Sequence, residues 1–205
     1  MSHDTILHRC LRPAVGRLVP TPVSPDSLTV LRLVSGLAAA SCFACGAAFL
    51  SAGAALFLLS MLLDRADGEL ARQSGRFSRF GSRFDLVADC VSTMAAFVAL
   101  GIGASPEELP RWAGVALGLV AAVSTATIFT ELNVLQPAEP MPSRRFDPDD
   151  AMLAVPVVIW CGGASWILLA SGIVTPLAAL LVTGRRLAAR RRAGRTAKPE
   201  LELRS

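Results

Sequence analysis

Long apolar runs separated by short arginine-bearing links constrain this chain more than any other feature. Six segments are predominantly apolar: 28–50, 54–70, 86–103, 112–132, 151–166 and 167–187. A bilayer core about 30 Å thick is crossed by about 20 helical residues, so the pattern predicts an all-α integral membrane protein with six transmembrane helices. The last two segments are short, and Cys161-Gly-Gly-Ala-Ser165 is the expected turn between them.

Composition agrees. Apolar residues make up 53% before any of the 16 glycines is counted, and charged residues only 18%. Soluble domains carry about 45–50% apolar residues with glycine included and about 25% charged. Disorder is excluded by the hydrophobicity, and five scattered cysteines make no disulfide framework. A net charge of +4 raises the question of nucleic acid. The basic residues lie in clusters between apolar runs, without the aromatic interleaving of single-strand binders, so no nucleic-acid partner is expected.

The arginines set the orientation. Arg9, Arg12 and Arg17 precede the first span, Arg65, Arg72, Arg76, Arg79 and Arg83 lie around the second link, Arg144 and Arg145 precede the fifth span, and a basic run follows Leu187. The intervening links carry none or only Arg111. By the positive-inside rule both termini face the cytoplasm. The expected organisation is a cytoplasmic amphipathic arm over 1–25, a six-helix catalytic domain over 26–188 and a basic cytoplasmic tail over 189–205. Residues 1–25 contain no apolar core of a secretory signal.

The chemistry concentrates between the second and third spans. On a helix, Asp64, Asp67, Gly68 and Ala71 share one face, and so do Gly81, Asp85 and Asp89. The short connection from Gln73 to Phe80 predicts antiparallel neighbours whose acidic faces meet at the cytoplasmic edge of the membrane. Carboxylates there are costly without partners. All-oxygen ligands favour Mg²⁺, Mn²⁺ or Ca²⁺, and four Asp residues suffice for two ions, an arrangement suited to phosphoryl transfer. Gly68, Ala71 and Gly81 leave room for a ligand, and Arg72 offers a planar fork to phosphate. Blander readings stay open: helix-start acids favoured by the dipole, salt bridges from Asp64 or Asp67 to Arg65 or Arg83, and glycines used for close packing.

Asp64-x2-Asp67-Gly68-x2-Ala71-Arg72-x8-Gly81-x3-Asp85-x3-Asp89 resembles the signature of the CDP-alcohol phosphotransferases (CDP-alcohol phosphatidyltransferases) in residue type and spacing. The resemblance, over about residues 20–188, implies two divalent cations (Mg²⁺ or Mn²⁺) held by Asp64, Asp67 and Asp85. Asp89 becomes the general base and a further metal contact, with Gly68, Ala71, Arg72 and Gly81 around the cytidine diphosphate. It implies transfer of a phosphatidyl-type group from a CDP-linked lipid donor to a small alcohol, with release of CMP, in phospholipid synthesis. The small bacterial members point to the inner membrane, with the site facing the cytoplasm. A weaker resemblance, to a Pro-Asn-x-x-Thr-x-x-Arg pattern, covers Pro25-Asp26-Ser27-Leu28-Thr29-Val-Leu-Arg32. It implies a nucleotide contact for Thr29; Asp26 departs from the pattern.

The acceptor stays open among glycerol 3-phosphate, inositol or its phosphate, and serine. The alternatives are transfer of a CDP-linked headgroup to a lipid alcohol, and a non-catalytic protein or cation carrier using the Asp cluster. Other residues have two readings each. Glu131 and Asn133 face an acceptor pocket or mark the water interface, and Arg144 and Arg145 bind an acceptor phosphate or only set topology. Asp26-Ser27 reads as a helix cap, Cys42 and Cys45 as buried thiols, and Gly114-Val-Ala-Leu-Gly118 as helix packing that suits a homodimer.

Overall fold

The computed structural model describes residues 6–76, 78–104, 109–135 and 152–202. These are helical apart from turns: α1 (Ile6–Gly16), α2 (Pro25–Ala44), α3 (Leu50–Ser74), α4 (Arg79–Gly103), α5 (Arg111–Phe129), α6 (Ala154–Trp160) and α7 (Ala164–Glu202). A π-helical turn, Thr130–Leu135, continues α5.

The helix starts follow local chemistry. Ser24 caps α2 in a reciprocal box: Ser27 N–H donates to Ser24 Oγ (3.1 Å) and Ser24 N–H to Ser27 Oγ (3.2 Å). The cap residue is therefore Ser24, two residues before Asp26, with Ser27 taking part as its N3 partner; Asp26 stands in the first turn, where the helix dipole favours an acid. Ser78 caps α4, accepting from Gly81 N–H at 2.7 Å. α3 ends on Gly75 at φ 67°, a left-handed position that glycine takes without a Cβ penalty.

Five described helices are long and apolar enough to span a membrane, α2, α3, α4, α5 and α7. The segment expected as the fifth of six spans contains the seven-residue α6, turns at Cys161–Gly163 as expected, and begins in residues outside the described ones. The helices expose apolar faces, including Val30, Leu31 and Val34 on α2, Val123 on α5, and Ile173, Val174, Leu180 and Leu181 on α7. That is the surface of an all-α protein solvated by lipid. Trp112 and Trp166 begin α5 and α7 in exposed positions, as in an interfacial aromatic belt.

Packing differs from the sequence expectation at one decisive place. α2 packs extensively against both α3 and α4, while α3 and α4 make little direct contact. The short link does reverse the chain, but the first span is wedged between the two acid-bearing helices. α4 packs closely on α5: a Cβ on Gly114 would lie 2.6 Å from the Gly101 carbonyl oxygen, and one on Gly118 2.5 Å from that of Phe97. The Gly114–Gly118 pair thus serves packing within the chain. α1 lies on α3, with Val15 buried beside Leu28 and Leu70. Cys42 is half-buried, but Cys45, at the end of α2, is exposed rather than buried.

Candidate active site

α3 presents Asp64 and Asp67, α4 presents Asp85 and Asp89, and α2 inserts Thr29 and Arg32 between them. One carboxylate oxygen from each of Asp64, Asp67 and Asp85 lies within 4.8 Å of the others. The expected meeting of the two acidic faces therefore holds, although the helix backbones are kept apart. Asp89, one turn beyond Asp85, stands outside this group of three.

Arg32 is the largest fully buried side chain among the described residues. Its Nη1 faces Asp64 Oδ1 at 2.7 Å and also pairs with Asp85 Oδ1; its Nη2 lies 2.6 Å from Asp89 Oδ1. The Asp89 contact has ion-pair distance without hydrogen-bond alignment. The Arg32 carbonyl accepts from Ser35 Oγ (2.9 Å) and Ser60 Oγ (3.0 Å), which fixes the backbone beneath the guanidinium. Thr29 is buried, and its hydroxyl reaches Asp67 Oδ2 at 2.8 Å. The N-terminal pattern includes Arg32 but implies no role for it. Its signal was a lone cation within an apolar run, and such a charge needs a partner inside the protein. Asp64 pairs with Arg32, on a helix that carries neither Arg65 nor Arg83.

The C-terminal turn of α3 forms a second cluster that the sequence reading overlooked. Glu69 is buried, and its carboxylate accepts from Arg72 Nη2 (2.8 Å), Gln73 Nε2 (2.9 Å), and Arg12 Nε of α1 (3.2 Å). Arg72, a third exposed, is thereby held at the surface beside Gly68, where a Cβ would lie 3.6 Å from its Nη1. Ala71 is half-buried on the same helix. Gly81 is buried, and a Cβ there would overlap Asp26 Oδ1 and lie 2.7 Å from Ser78 Oγ. Its smallness is used by the turn that brings α2 and α4 together.

A cavity of about 190 Å³ opens from Asp64 and Asp89 into the bundle. Ser60, Ser92, Thr93, Thr125 and Thr175 line it with Arg32, Arg65 and the apolar Phe57, Met61, Phe97, Phe129 and Met152; the Ser60, Thr125 and Thr175 hydroxyls are donated to backbone carbonyls. Ser92 Oγ is buried and has no hydrogen-bond partner among the described residues. Glu131 does not line this cavity; it is buried and accepts two bonds from Arg186 Nη1 of α7, at 2.9 and 3.0 Å. Asn133 bonds its own helix, at the Phe129 carbonyl (3.1 Å). Arg144 and Arg145 lie outside the described residues.

The sequence model described as CDP-alcohol phosphatidyltransferase matches residues 22–184. Phosphatidylinositol phosphate synthase of Mycobacterium tuberculosis is 33% identical over 93 residues, which are 45% of this chain and 42% of the relative. The synthase of Streptomyces avermitilis is 36% identical over 89 residues, 43% of this chain and 36% of that one. The alignments thus span less than half the length of these relatives. A crystal structure of the M. tuberculosis phosphatidylinositol phosphate synthase with CDP-DAG bound shares the fold. Its TM-score is 0.60 at 21% identity, covering 85% of this chain and 93% of that one.

Proposed function

The chain belongs to the CDP-alcohol phosphatidyltransferase family, and from that membership we propose that it transfers a phosphatidyl-type group from a CDP-linked lipid to a polyol or polyol phosphate, releasing CMP. The observation that carries this reading is the convergence of Asp64, Asp67 and Asp85 oxygens within 4.8 Å, beside a fourth carboxylate that lines a cavity running into the bundle.

Three clustered carboxylates without nitrogen or sulfur donors suit hard divalent cations, and the buried Thr29 hydroxyl that orients Asp67 is the kind of outer support such ligands use. Asp64, Asp67 and Asp85 would hold Mg²⁺ or Mn²⁺, with Asp89 within reach. Bound there, such ions neutralise the pyrophosphate and polarise the donor phosphate. Arg72 at the cytoplasmic turn pairs with a donor phosphate oxygen, and Gly68, Ala71 and Gly81 keep the surface around it low for the cytidine. Thr29 acts through Asp67. The donor's acyl chains rest on the lipid-facing surfaces of the helices.

Asp89 takes the proton of the acceptor hydroxyl. The freed oxygen attacks the donor phosphorus, the new phosphodiester bond forms, and the bond to CMP breaks as CMP leaves with the electron pair. An alcohol needs such a base at neutral pH. Ser92, whose buried hydroxyl has no partner among the described residues, and Thr93 line the cavity where a polyol would bind. The relatives are phosphatidylinositol phosphate synthases, which makes inositol phosphate the first acceptor to try. The arginine pattern supports a site on the cytoplasmic side of the cell membrane.

The test supplies purified protein with CDP-diacylglycerol, Mn²⁺ or Mg²⁺ and each candidate alcohol, and identifies the lipid product by mass spectrometry. A phospholipid carrying one acceptor supports the proposal. A product formed only from a CDP-linked headgroup and diacylglycerol replaces it with the inverse transfer.

A further inference from the structure

We propose that Arg32 is a built-in counter-cation of the carboxylate cluster, one that helps to hold the cage together without metal and competes with divalent cations for it. The inference rests on the metal-binding reading of Asp64, Asp67 and Asp85.

The geometry is unusual for a structural ion pair. A buried pair normally sets one charge against one. Here one guanidinium, 2% exposed, meets Asp64, Asp85 and Asp89 from two helices. Thr29, one turn earlier on the same helix, holds the fourth acid, Asp67. α2 is thus a strip of donors inserted between two acidic helices that otherwise make little contact. The guanidinium is also fixed from below, because the Arg32 carbonyl accepts from Ser35 and Ser60. With all four acids ionised, Arg32 offsets only part of their charge, and the buried Arg65 lines the same cavity. Arg12 and Arg72 are engaged with Glu69, and Arg186 with Glu131.

The consequence follows from linkage. Attraction between Arg32 and the acids is strongest when the acids are bare. Divalent cations placed among the same carboxylates repel the guanidinium over a few ångströms, in a setting that screens poorly. Arg32 therefore stabilises the protein without metal more than the protein with metal, and by reciprocity it must weaken metal affinity. Two uses follow. The helices can assemble before any metal arrives, and site occupancy responds to the free cation concentration.

The test is Mn²⁺ binding to the purified chain in detergent, read from the electron paramagnetic resonance of free Mn²⁺, with thermal unfolding measured in parallel. Arg32→Gln is expected to bind Mn²⁺ about tenfold or more tighter than wild type. It is also expected to melt lower without Mn²⁺ and gain more on adding it. Arg32→Lys keeps the charge but loses the fork, so its shift has the same direction and a smaller size. If Arg32→Gln does not yield folded protein, Arg32→Lys decides alone. Mn²⁺ affinity equal to or weaker than wild type in the folded variants overturns the proposal and makes Arg32 an orienting residue only. A wild-type chain that binds no Mn²⁺ overturns the metal reading itself, and this proposal with it.

Discussion

Thr29 on α2 and Asp67 on α3 are joined by a 2.8 Å bond between the threonine hydroxyl and Asp67 Oδ2, with both side chains buried. Thr29→Val keeps the shape and removes the donor. A buried acceptor left unpaired costs about 1–3 kcal/mol, and loss of support behind a metal ligand typically costs about 10–100-fold in affinity or activity. The expected result is a rise of that size in the Mn²⁺ concentration giving half-maximal CMP release. An unchanged Mn²⁺ dependence would show that Asp67 holds its position without Thr29.

Arg72 is presented by Glu69, which also receives Arg12 and Gln73. Arg72→Lys removes the planar fork and is expected to raise KM for the CDP-donor. Glu69→Gln leaves Arg72 in place but weakens its anchor, so it should raise the same KM by a smaller factor. A donor KM untouched by Arg72→Lys rules out the phosphate role.

Gly81 has no room for a Cβ beside Asp26 and Ser78. Gly81→Ala is expected to cost about 1–3 kcal/mol through overpacking, seen as a lower melting temperature and lower activity. Adding Asp26→Ala relieves the larger conflict and should recover most of the stability. Stability regained without activity would assign the space at Gly81 to the nucleotide rather than to packing.

Glu131 and Arg186 tie the end of α5 to α7 through two bonds. Removing Arg186 strands the buried Glu131 carboxylate, at about 3–5 kcal/mol, whereas removing Glu131 leaves a half-buried guanidinium and costs less. Glu131→Leu with Arg186→Met is expected to melt well above either single variant. Additive losses in the double variant would mean that the two residues do not act as a pair.

Much of this arrangement was legible in the chain. Apolar runs fixed the class as helical and membrane-embedded, and the three- and four-residue spacings brought Asp64, Asp67 and Asp85 together. What spacing could not reveal was which helix lies between. A short link between Ser74 and Arg79 implied direct contact of α3 and α4, but link length limits only the distance between helix ends. α2 occupies the gap, and its Arg32 became visible as the centre of the site only in three dimensions. Glu69 was overlooked for a related reason. An acid beside Arg72 reads as a local surface pair until α1 folds down and delivers Arg12 to the same carboxylate. Thr29 was expected at the nucleotide from the resemblance; its buried bond to Asp67 depends on the crossing of α2 and α3, which no local pattern encodes.

The most direct test of the catalytic account is CMP release from CDP-diacylglycerol by the wild-type chain and by Asp89→Asn, with Mn²⁺ and an accepted alcohol. The account predicts that release requires both metal and alcohol, and that Asp89→Asn lowers kcat by about 10²–10⁴ while CDP-donor binding stays near wild type. Release within about tenfold of wild type by Asp89→Asn would contradict Asp89 as the base, a role expected to contribute at least about 10².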